Sequence, residues 1–454
     1  MPPGRELSRV LGLWDATCVV VGAIIGVGIF FNPRDVANVT GSARAALAAW
    51  GIGGVIALLG AFTFAELGRL KPVAGGQYHV LRDAYGRPPA FLFVFCNLTA
   101  VQAGAVAIIA IVCAQNLGVA LHGAAPSERW VLAIATLLTW ALVGVNVIGV
   151  RSGAGLQDAT VVAKLITLGA LVALAAALAP GRAAAPAEQA AAGTTPLTFS
   201  MLFAGVTLTL FAYGGWQQAL WVAGEVTTAH HTVPRAILLG VAIVVLAYLG
   251  ANWAYLELLG FSGVRGATTL AADAFSVASP GLGRRIAAFA VAVSAFGVLN
   301  AQFLTGPRLT WAMAKDGLFF ASAARLHPRY GSPAWSIAAQ ALWSGALLFS
   351  HTYGQLLQGT MFAEWTFFAL IGLSLFVFAA REPGFYRGAG ERVLIVASAV
   401  GFTAVAAAVV GNALFQSPRQ ALVGVAVMLA GLPVYAMWRG RRSAAGRLGR
   451  ELQE

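Results

Sequence analysis

Charged residues are scarce in this sequence, and their scarcity excludes most soluble proteins. They make up 10% of the 454 residues, whereas a soluble domain carries about a quarter. Hydrophobic residues make up 59% and form long runs rather than following the periodicity of a soluble core. A run of about 20 apolar residues is long enough to cross a bilayer as a helix. The composition therefore predicts an all-α, polytopic membrane protein.

Residues that would indicate an enzyme or a metal site are also few. The cysteines Cys18, Cys96 and Cys113 lie in apolar runs, at spacings that fit neither zinc nor a disulfide framework. All six histidines fall in predicted loops or at helix ends, and no Walker A motif or repeated ring of charge occurs. These absences argue against intramembrane metal chemistry, ATP-driven transport and an ion channel. The remaining hypothesis is a carrier without metal or cofactor.

The apolar runs predict twelve transmembrane helices. They lie at residues 12–38, 45–70, 91–118, 128–149, 156–179, 198–224, 236–260, 286–313, 333–350, 355–379, 392–414 and 418–438. With the N-terminus inside, twenty of the 29 lysines and arginines fall on the inside, eight fall outside, and Lys164 lies within a span. This distribution is a topology signal rather than a nucleic-acid footprint. We therefore predict a multi-pass protein of the plasma (inner) membrane with both termini in the cytoplasm.

The whole chain, 1–454, is expected to form one transporter domain. Residues 180–197 read as a flexible outside loop, and residues 439–454 read as a basic cytoplasmic tail. Neither segment is large enough to form a separate domain.

Two spans carry glycine where a helix is expected to be continuous. The first contains Gly22, Gly26 and Gly28, and the sixth contains Gly214 and Gly215. Each glycine weakens a helix interior by about 1 kcal/mol. Either cluster alone also fits close helix packing, but a pair of interrupted helices in corresponding positions is typical of carriers built from inverted repeats. The pairing favours interruption.

The spacing of the two clusters predicts a five-plus-five inverted repeat with discontinuous first and sixth helices. The first repeat would cover 12–179 and the second 198–379, with two appended helices over 392–438. Irregular backbone at membrane depth is tolerated only around a cavity. We therefore expect the two breaks to form a binding site.

The broken helix ends suggest what would bind there. A half-helix that begins near Val27–Ile29 presents free amides and a positive dipole end, which suit a carboxylate. Half-helices that end near Ala23–Ile24 and near Phe211–Ala212 present carbonyl oxygens, which suit an ammonium group. This combination matches an amino acid. Phe211, Tyr213 and Trp216 are candidates to cover the substrate, with ordinary packing as the alternative for the last two.

Several ordered motifs resemble those of the amino acid–polyamine–organocation superfamily, particularly bacterial amino acid permeases close to the L-type amino acid transporters. These motifs are "GAIIGVGIF", "FAELGRLKPVAGGQYHVLRDAYG", "FAYGGWQQALWVAGEV", "VPRAI", "VLNAQFLTGPRLTWAMAKDGLF" and "FAEWTFFAL". The resemblance implies alternating access around a midplane site. By resemblance, the substrate carboxylate would bind at Ile24, Gly26, Val27 and Gly28, and the amino group at Phe211, Ala212 and Gly214. Phe211 would also gate the pocket from outside.

Lys164 is the costliest residue to place in a membrane span. A lysine at a helix centre costs roughly 2.5–3.5 kcal/mol on insertion scales, so it should face a partner or a cavity; the alternative is a lysine that snorkels to the interface. By resemblance, Lys164 occupies the fifth-helix position where sodium-independent members carry a lysine in place of sodium. Its ammonium would then bond first-helix carbonyls and Ser294. A transported proton on this lysine is left open.

Other polar residues complete the candidate site. Gln102 is expected either to line the pocket or to bond a neighbouring helix. Glu364 is expected either to bind a proton or the substrate side chain, or to pair with a neighbouring helix. Gln217 stands where the family often has Asn, which makes transfer of a substrate unsafe. The full predicted substrate set is Ala23, Ile24, Gly26, Val27, Gly28, Gln102, Phe211, Ala212, Gly214, Gly215, Trp216 and Gln217; the gating and coupling set is Lys164, Phe211, Ser294 and Glu364.

Near the cytoplasmic helix ends, Glu66 and Glu225 are expected either to organise the inner gate or to pair with loop arginines such as Arg69 and Arg235. No acidic residue is evident in the predicted pocket core, which favours a neutral amino acid. The leading hypothesis is a sodium-independent carrier that works by exchange or proton symport. The alternatives are a cationic amino acid or polyamine antiporter and, from another class, a non-transporting amino acid sensor. The substrate, the stoichiometry and any accessory subunit stay open.

Overall fold

The computed structural model describes residues 6–178, 197–350, 353–382, 385–386 and 388–451, with side chains described except at 353–360 and 441–451. These residues form helices and connecting turns, and the only strand-like feature among them is an isolated backbone bridge between Leu11 and Val226. The all-α prediction is confirmed. The predicted outside loop, apart from Leu197, lies outside the described residues.

Ten described helices are long and apolar enough to cross a membrane, and one bent helix pair forms a further candidate. In chain order these are the first span (Leu13–Ile24 with Gly28–Thr40), the second (Ala43–Leu70), the third (Arg87–His122), the fourth (Glu128–Ile148), the fifth (Val150–Leu178), the sixth (Phe199–Trp221), the seventh (Ala229–Gly266), the eighth (Gly283–Lys315), the tenth (Met361–Arg381), the eleventh (Ala389–Gln416) and the twelfth (Pro418–Gly440). The protein is a multi-pass membrane protein.

The predicted ninth span corresponds to a shorter helix, Ala334–Ser350, of 17 residues. A helix of this length reaches only the lower limit of what crosses a bilayer. By length and composition the described residues therefore contain eleven candidate spans rather than the predicted twelve. The helix that begins at Pro418 continues to Glu451, into the segment predicted as the tail.

Short elements connect the spans. The helix Gly76–Tyr85 lies between the second and third spans, and Leu270–Ser276 lies between the seventh and eighth. Within the third span, residues Asn97–Val101 form a π-helix. A π-turn inserts one extra residue into a helix and changes the direction in which the following side chains point.

The centre of the bundle is packed with large aromatic side chains. Trp50, Tyr213 and Tyr248 come from three different spans and meet at ring-centroid distances of 5.1 to 5.7 Å. All three are fully buried. Their contacts fix the second, sixth and seventh spans against one another beside the two helix breaks. The three cysteines are free and buried, which agrees with their interpretation as small apolar residues.

Candidate functional site

The first span is interrupted at the place where its glycines predicted a break. Its first half ends at Ile24 and its second half begins at Gly28, and the two halves meet at 45°. The last carbonyls of the first half and the leading amides of the second half have no neighbouring helical turn to bond. The backbone at Ile25–Val27 is therefore available to other groups.

The sixth span is interrupted at its own glycine pair. Its helix ends at Tyr213, Gly214 is extended, and the next short helix is Gln218–Trp221. Gly215 has φ +132°, and a Cβ there would lie 2.8 Å from the carbonyl oxygen of Ala23. Glycine is required for both reasons, since a side chain would strain the backbone and collide with the first span. The two breaks therefore touch each other.

A cavity of about 210 Å³ lies at these two breaks. The structure brings eleven of the twelve predicted substrate residues to its wall: Ala23, Ile24, Gly26, Val27, Gly28, Gln102, Phe211, Ala212, Gly214, Gly215 and Gln217. Further lining residues that the sequence reasoning did not name are Val101, Ala105, Ile108, Ile109, Leu210, Gln218, Val298, Gln302, Met361, Trp365 and Phe368. Helical spacing from Gln102 would have found Ala105 and Ile109, which follow it by three and seven residues and so share its face.

The aromatic residues at the second break do not act alike. Phe211 lines the cavity and is 52% exposed, as expected of a side chain at its mouth. Trp216 is fully buried and is not among the lining residues; its ring packs against Phe64, Phe368 and Phe402. The structure therefore does not bring Trp216 to the cavity wall, because the turn at Gly215 directs the indole into the core. Tyr213 is likewise a packing residue, and its hydroxyl donates to the Trp50 carbonyl.

Lys164 lies behind the first break rather than in the cavity wall. Its Nζ donates to the carbonyl oxygens of Gly22, at 2.9 Å, and Ile25, at 2.7 Å, and the side chain is 2% exposed. The Ser294 hydroxyl lies within 3.2 Å of the Ile25 carbonyl and 3.1 Å of the Gly26 carbonyl. Lys164 and Ser294 thus share the released carbonyls of the first span from two different helices. Neither residue lines the cavity.

Tyr248 of the seventh span joins the two breaks and was not anticipated from the sequence. Its hydroxyl lies 3.0 Å from the Ile24 carbonyl and 3.2 Å from the Ala212 carbonyl, and it donates to these oxygens. Both oxygens belong to the last turn before a break. A tyrosine within an apolar span gives no sequence signal for this role, because its partners belong to other spans, 224 and 36 residues away.

An acidic side chain does line the cavity, although the sequence predicted no acidic residue in the pocket core. Glu364 lines it and is the only ionisable side chain among the described lining residues. Its Oε1 accepts a hydrogen bond of 3.2 Å from Gln217, whose own amide oxygen accepts from the Gly215 N–H at 3.1 Å. The Gln217 side chain therefore connects the irregular backbone of the sixth span to the carboxyl group of the tenth.

A chain of amides lies beyond the second break. The Gln218 Nε2 donates to Gln302 at 3.2 Å, and the Thr305 hydroxyl donates to the Gln218 amide oxygen at 2.9 Å. Gln218 and Gln302 also line the cavity. These bonds hold the short helix after the break against the eighth span.

Ion pairs concentrate at the end of the bundle that carries the N-terminal segment. We call Lys71, Tyr78, Arg82, Asp83 and Asp316 the end cluster. Lys71 pairs with Asp83 at 2.9 Å, and Arg82 pairs with Asp83 at 3.0 Å and with Asp316 at 2.8 Å. The Tyr78 hydroxyl donates to Asp316 at 2.7 Å. The cluster joins the helix Gly76–Tyr85 to the end of the eighth span.

The carboxylates of the end cluster are stabilised as anions. Burial alone would raise the pKa of Asp316, but hydrogen bonds from Arg82 and Tyr78 and the charge of Arg82 outweigh it and lower this pKa. The pKa of Asp83 is lowered in the same way, since bonds from Lys71 and Arg82 outweigh its burial. Both groups therefore stay charged at neutral pH.

A second ion pair lies deeper. Arg308 donates to Glu225 through Nε at 2.8 Å and Nη2 at 3.0 Å, and both side chains are almost fully buried. The expected pairing of Glu66 with Arg69 is present. The suggested partner of Glu225, Arg235, is wrong, because the eighth span brings Arg308 to it instead. The Glu225 carbonyl also accepts from the amides of Val10 and Leu11, which ties the N-terminal segment to the same place.

Comparison with known proteins gives the class. A family model described as amino acid permease matches residues 11–437, and the chain belongs to this family. It is similar to the serine/threonine exchanger SteT of Bacillus subtilis, with 27% identity over 96% of this chain and 98% of that protein. It is also similar to human b(0,+)-type amino acid transporter 1, with 27% identity over 83% of this chain and 77% of that protein. Its identity to the human cystine/glutamate transporter is 26%, over 96% of this chain and 87% of that protein. The resemblance to the amino acid–polyamine–organocation superfamily is confirmed, and the family is one of amino acid transporters rather than enzymes.

Proposed function

We propose that this protein is a sodium-independent carrier of neutral amino acids that works by alternating access in the plasma membrane, with both termini in the cytoplasm. The observation that carries the proposal is the position of Lys164. Its ammonium bonds two carbonyls released by the break in the first span, at 2.9 and 2.7 Å. A fixed cation on the oxygens that would otherwise attract a metal cation removes the need for sodium.

The two breaks match the charged ends of an amino acid. The carboxylate would lie against the leading amides of the half-helix that begins at Gly28, where the helix dipole is positive. The ammonium would bond carbonyls before the breaks. The Ile24 and Ala212 oxygens already accept from Tyr248, but a carbonyl has two acceptor positions. The remaining wall is mainly hydrocarbon, which suits a neutral side chain.

Exchange is the first mode to test, and proton symport is the second. The similar Bacillus subtilis protein is named an exchanger, and it matches nearly the whole of both chains. Exchange needs no driving ion, only a carrier that reorients more readily when it is loaded.

The experiment is uptake of labelled amino acids into proteoliposomes without sodium, with and without internal amino acid and with an inward proton gradient. Uptake that requires internal amino acid indicates exchange, and stimulation by the proton gradient indicates symport. Uptake that requires sodium contradicts the proposal. Substrate binding without flux under all these conditions favours the non-transporting sensor.

Glu364 supports a second candidate, a carrier of cationic amino acids. A neutral pocket was inferred from sequence partly because no acid was evident in it, yet this carboxyl group lines the cavity. A buried carboxylate is costly without a counter-charge, and a cationic side chain would supply one.

The Glu364→Gln variant separates the possible roles of this carboxyl group in the cavity wall. If Glu364 binds a cationic side chain, uptake of lysine and arginine should fall at least tenfold while neutral uptake changes little. Equal loss of all substrates would instead indicate contact with the α-amino group. Loss of proton stimulation alone would indicate coupling. Unchanged uptake throughout would remove the cationic candidate.

A further inference from the structure

The third-span wall of the cavity is hydrocarbon except at one residue. Val101, Ala105, Ile108 and Ile109 line it together with Gln102. Gln102 is 5% exposed, and its amide oxygen has no hydrogen-bond partner among the described residues. The alternative of a bond from this oxygen to a neighbouring helix is therefore not what the structure contains.

An unpartnered amide oxygen in this position is costly. A buried acceptor without a donor loses about 1–3 kcal/mol relative to the same group in water. Hydrocarbon residues at the same place would avoid the cost, as the rest of this wall shows. The cost is recovered only when something in the cavity donates a hydrogen bond.

The backbone before Gln102 points the same way. The π-helix Asn97–Val101 ends immediately before it, and such turns are frequent at functional sites because they redirect side chains. The terminal torsion of glutamine is soft, so the amide can turn its oxygen to the cavity without leaving its rotamer. Two independent features, an orphan acceptor and a π-turn, thus fall on one cavity residue.

The other polar groups of the cavity are already engaged. Gln217 bonds Glu364 and the Gly215 amide, and Gln218 bonds Gln302 and Thr305. The backbone ends at the breaks are occupied with the charged groups of an amino acid if the proposed function holds. Among the amide side chains of the cavity, Gln102 is the one left to meet the substrate side chain.

We infer that Gln102 is a specificity residue that selects amino acids whose side chain donates a hydrogen bond, such as a hydroxyl, over hydrocarbon side chains of the same shape. The inference rests on the proposed function. It names the class of substrate that the cavity prefers: serine over 2-aminobutyrate, threonine over valine and, for a cationic carrier, lysine over 2-aminoheptanoate. A hydrocarbon analogue would leave the Gln102 oxygen unpaired.

The test compares these three matched pairs as competitors of labelled uptake in proteoliposomes, for the natural chain, Gln102→Leu and Ile111→Leu. The natural chain should prefer the donor in at least one pair by about tenfold. Gln102→Leu should bring that ratio close to one by weakening the donor while keeping the hydrocarbon partner. Ile111→Leu, a change on the same helix outside the cavity wall, should leave the ratio intact. An unchanged ratio in Gln102→Leu, or no preference in any pair for the natural chain, overturns the inference.

A binding measurement keeps this result separate from failure of the proposed function. Stabilisation of the detergent-purified protein against heating is measured with each member of the pairs. If the natural chain shows no flux but the donor stabilises it more than the hydrocarbon partner, and Gln102→Leu removes the difference, transport fails and the inference stands. If neither amino acid of any pair stabilises the natural chain, the inference fails as well. Retention of the melting temperature without ligand shows that Gln102→Leu folds.

Discussion

The central cavity and the end cluster solve the same problem, the placement of polar groups in a mainly apolar protein, in opposite ways. The cavity uses backbone amides and carbonyls released at Ile25–Val27 and Gly214–Gly215. The end cluster uses charged side chains, which are paired at 2.8 to 3.0 Å. Charge is expensive at membrane depth and inexpensive near water, so the groups proposed to hold a ligand are dipoles and the groups that hold the end of the bundle are ions.

The two regions should also differ in what a substitution does. Breaking a cavity contact should change transport more than stability. The backbone at the breaks already lacks the hydrogen bonds of a continuous helix, so a change there removes few stabilising contacts. Breaking an ion pair should change stability in proportion to its burial, since exposed pairs contribute at most about 1 kcal/mol.

The largest effect is expected for Lys164→Ala. The change removes the donor to the Gly22 and Ile25 carbonyls and leaves a void against Gly297, so the first break should lose its geometry. Sodium-free uptake in proteoliposomes should fall more than tenfold. Val162→Ala, at a 41% exposed position of the same helix, is the control and should transport normally. Unchanged flux in Lys164→Ala would remove the role assigned to the lysine.

Arg308→Met should produce the largest loss of stability. It leaves Glu225 as an unpaired buried charge, which costs about 3–5 kcal/mol. Unfolding in detergent measures the loss. Arg69→Met, which breaks the more exposed pair with Glu66, should cost less than about 1 kcal/mol.

The double variant Arg308→Met with Glu225→Leu sharpens this prediction. Removing both charges eliminates the unpaired carboxylate, so most of the stability should return. A double variant as unstable as Arg308→Met would show that the arginine acts by packing rather than by pairing.

A smaller effect is expected for Tyr248→Phe, which deletes the hydroxyl between the Ile24 and Ala212 carbonyls. Two buried oxygens lose a donor, at about 1–3 kcal/mol, and uptake should fall several-fold. Tyr255→Phe is a matched control two turns further along the same helix, because its buried hydroxyl has no hydrogen-bond partner among the described residues. Equal effects of the two changes would contradict the bridging role.

The smallest effect belongs to the end cluster. Asp316→Asn removes the pair with Arg82, which is partly exposed, and should cost at most about 1 kcal/mol at neutral pH. Because the pKa of Asp316 is lowered in the folded state, its contribution is present above the ordinary aspartate pKa and is lost as the pH falls below about 4. The melting temperatures of the natural chain and Asp316→Asn should therefore converge between pH 4 and pH 2.

The exposed Asp35 provides the control for this pH series. Asp35→Asn should follow the natural chain at every pH, since Asp35 has no ion pair with any described residue. A constant gap between the natural chain and Asp316→Asn down to pH 2 would show that the Arg82 pair does not stabilise the fold.

The sequence by itself determined the membrane class, the positions of most spans and the two breaks. These properties are local: hydrophobic runs set the spans, and Gly22, Gly26, Gly28, Gly214 and Gly215 mark where a helix is weakest. The same locality explains why eleven predicted substrate residues line one cavity. Most of these residues lie at or beside the breaks, so a correct prediction of the break positions also predicted that they line the cavity. The division into two inverted repeats stays a prediction.

Only the tertiary structure decided which distant groups complete the site. Tyr248 bonds carbonyls at both breaks, and Glu225 pairs with Arg308 rather than with Arg235. Glu364 lines the cavity, whereas Trp216 packs in the core. In each case the outcome depends on the rotation and depth of one helix against another. An apolar span has hydrophobic side chains on all of its faces, so its sequence does not show which face packs against which neighbouring helix. Packing of whole helices makes that choice.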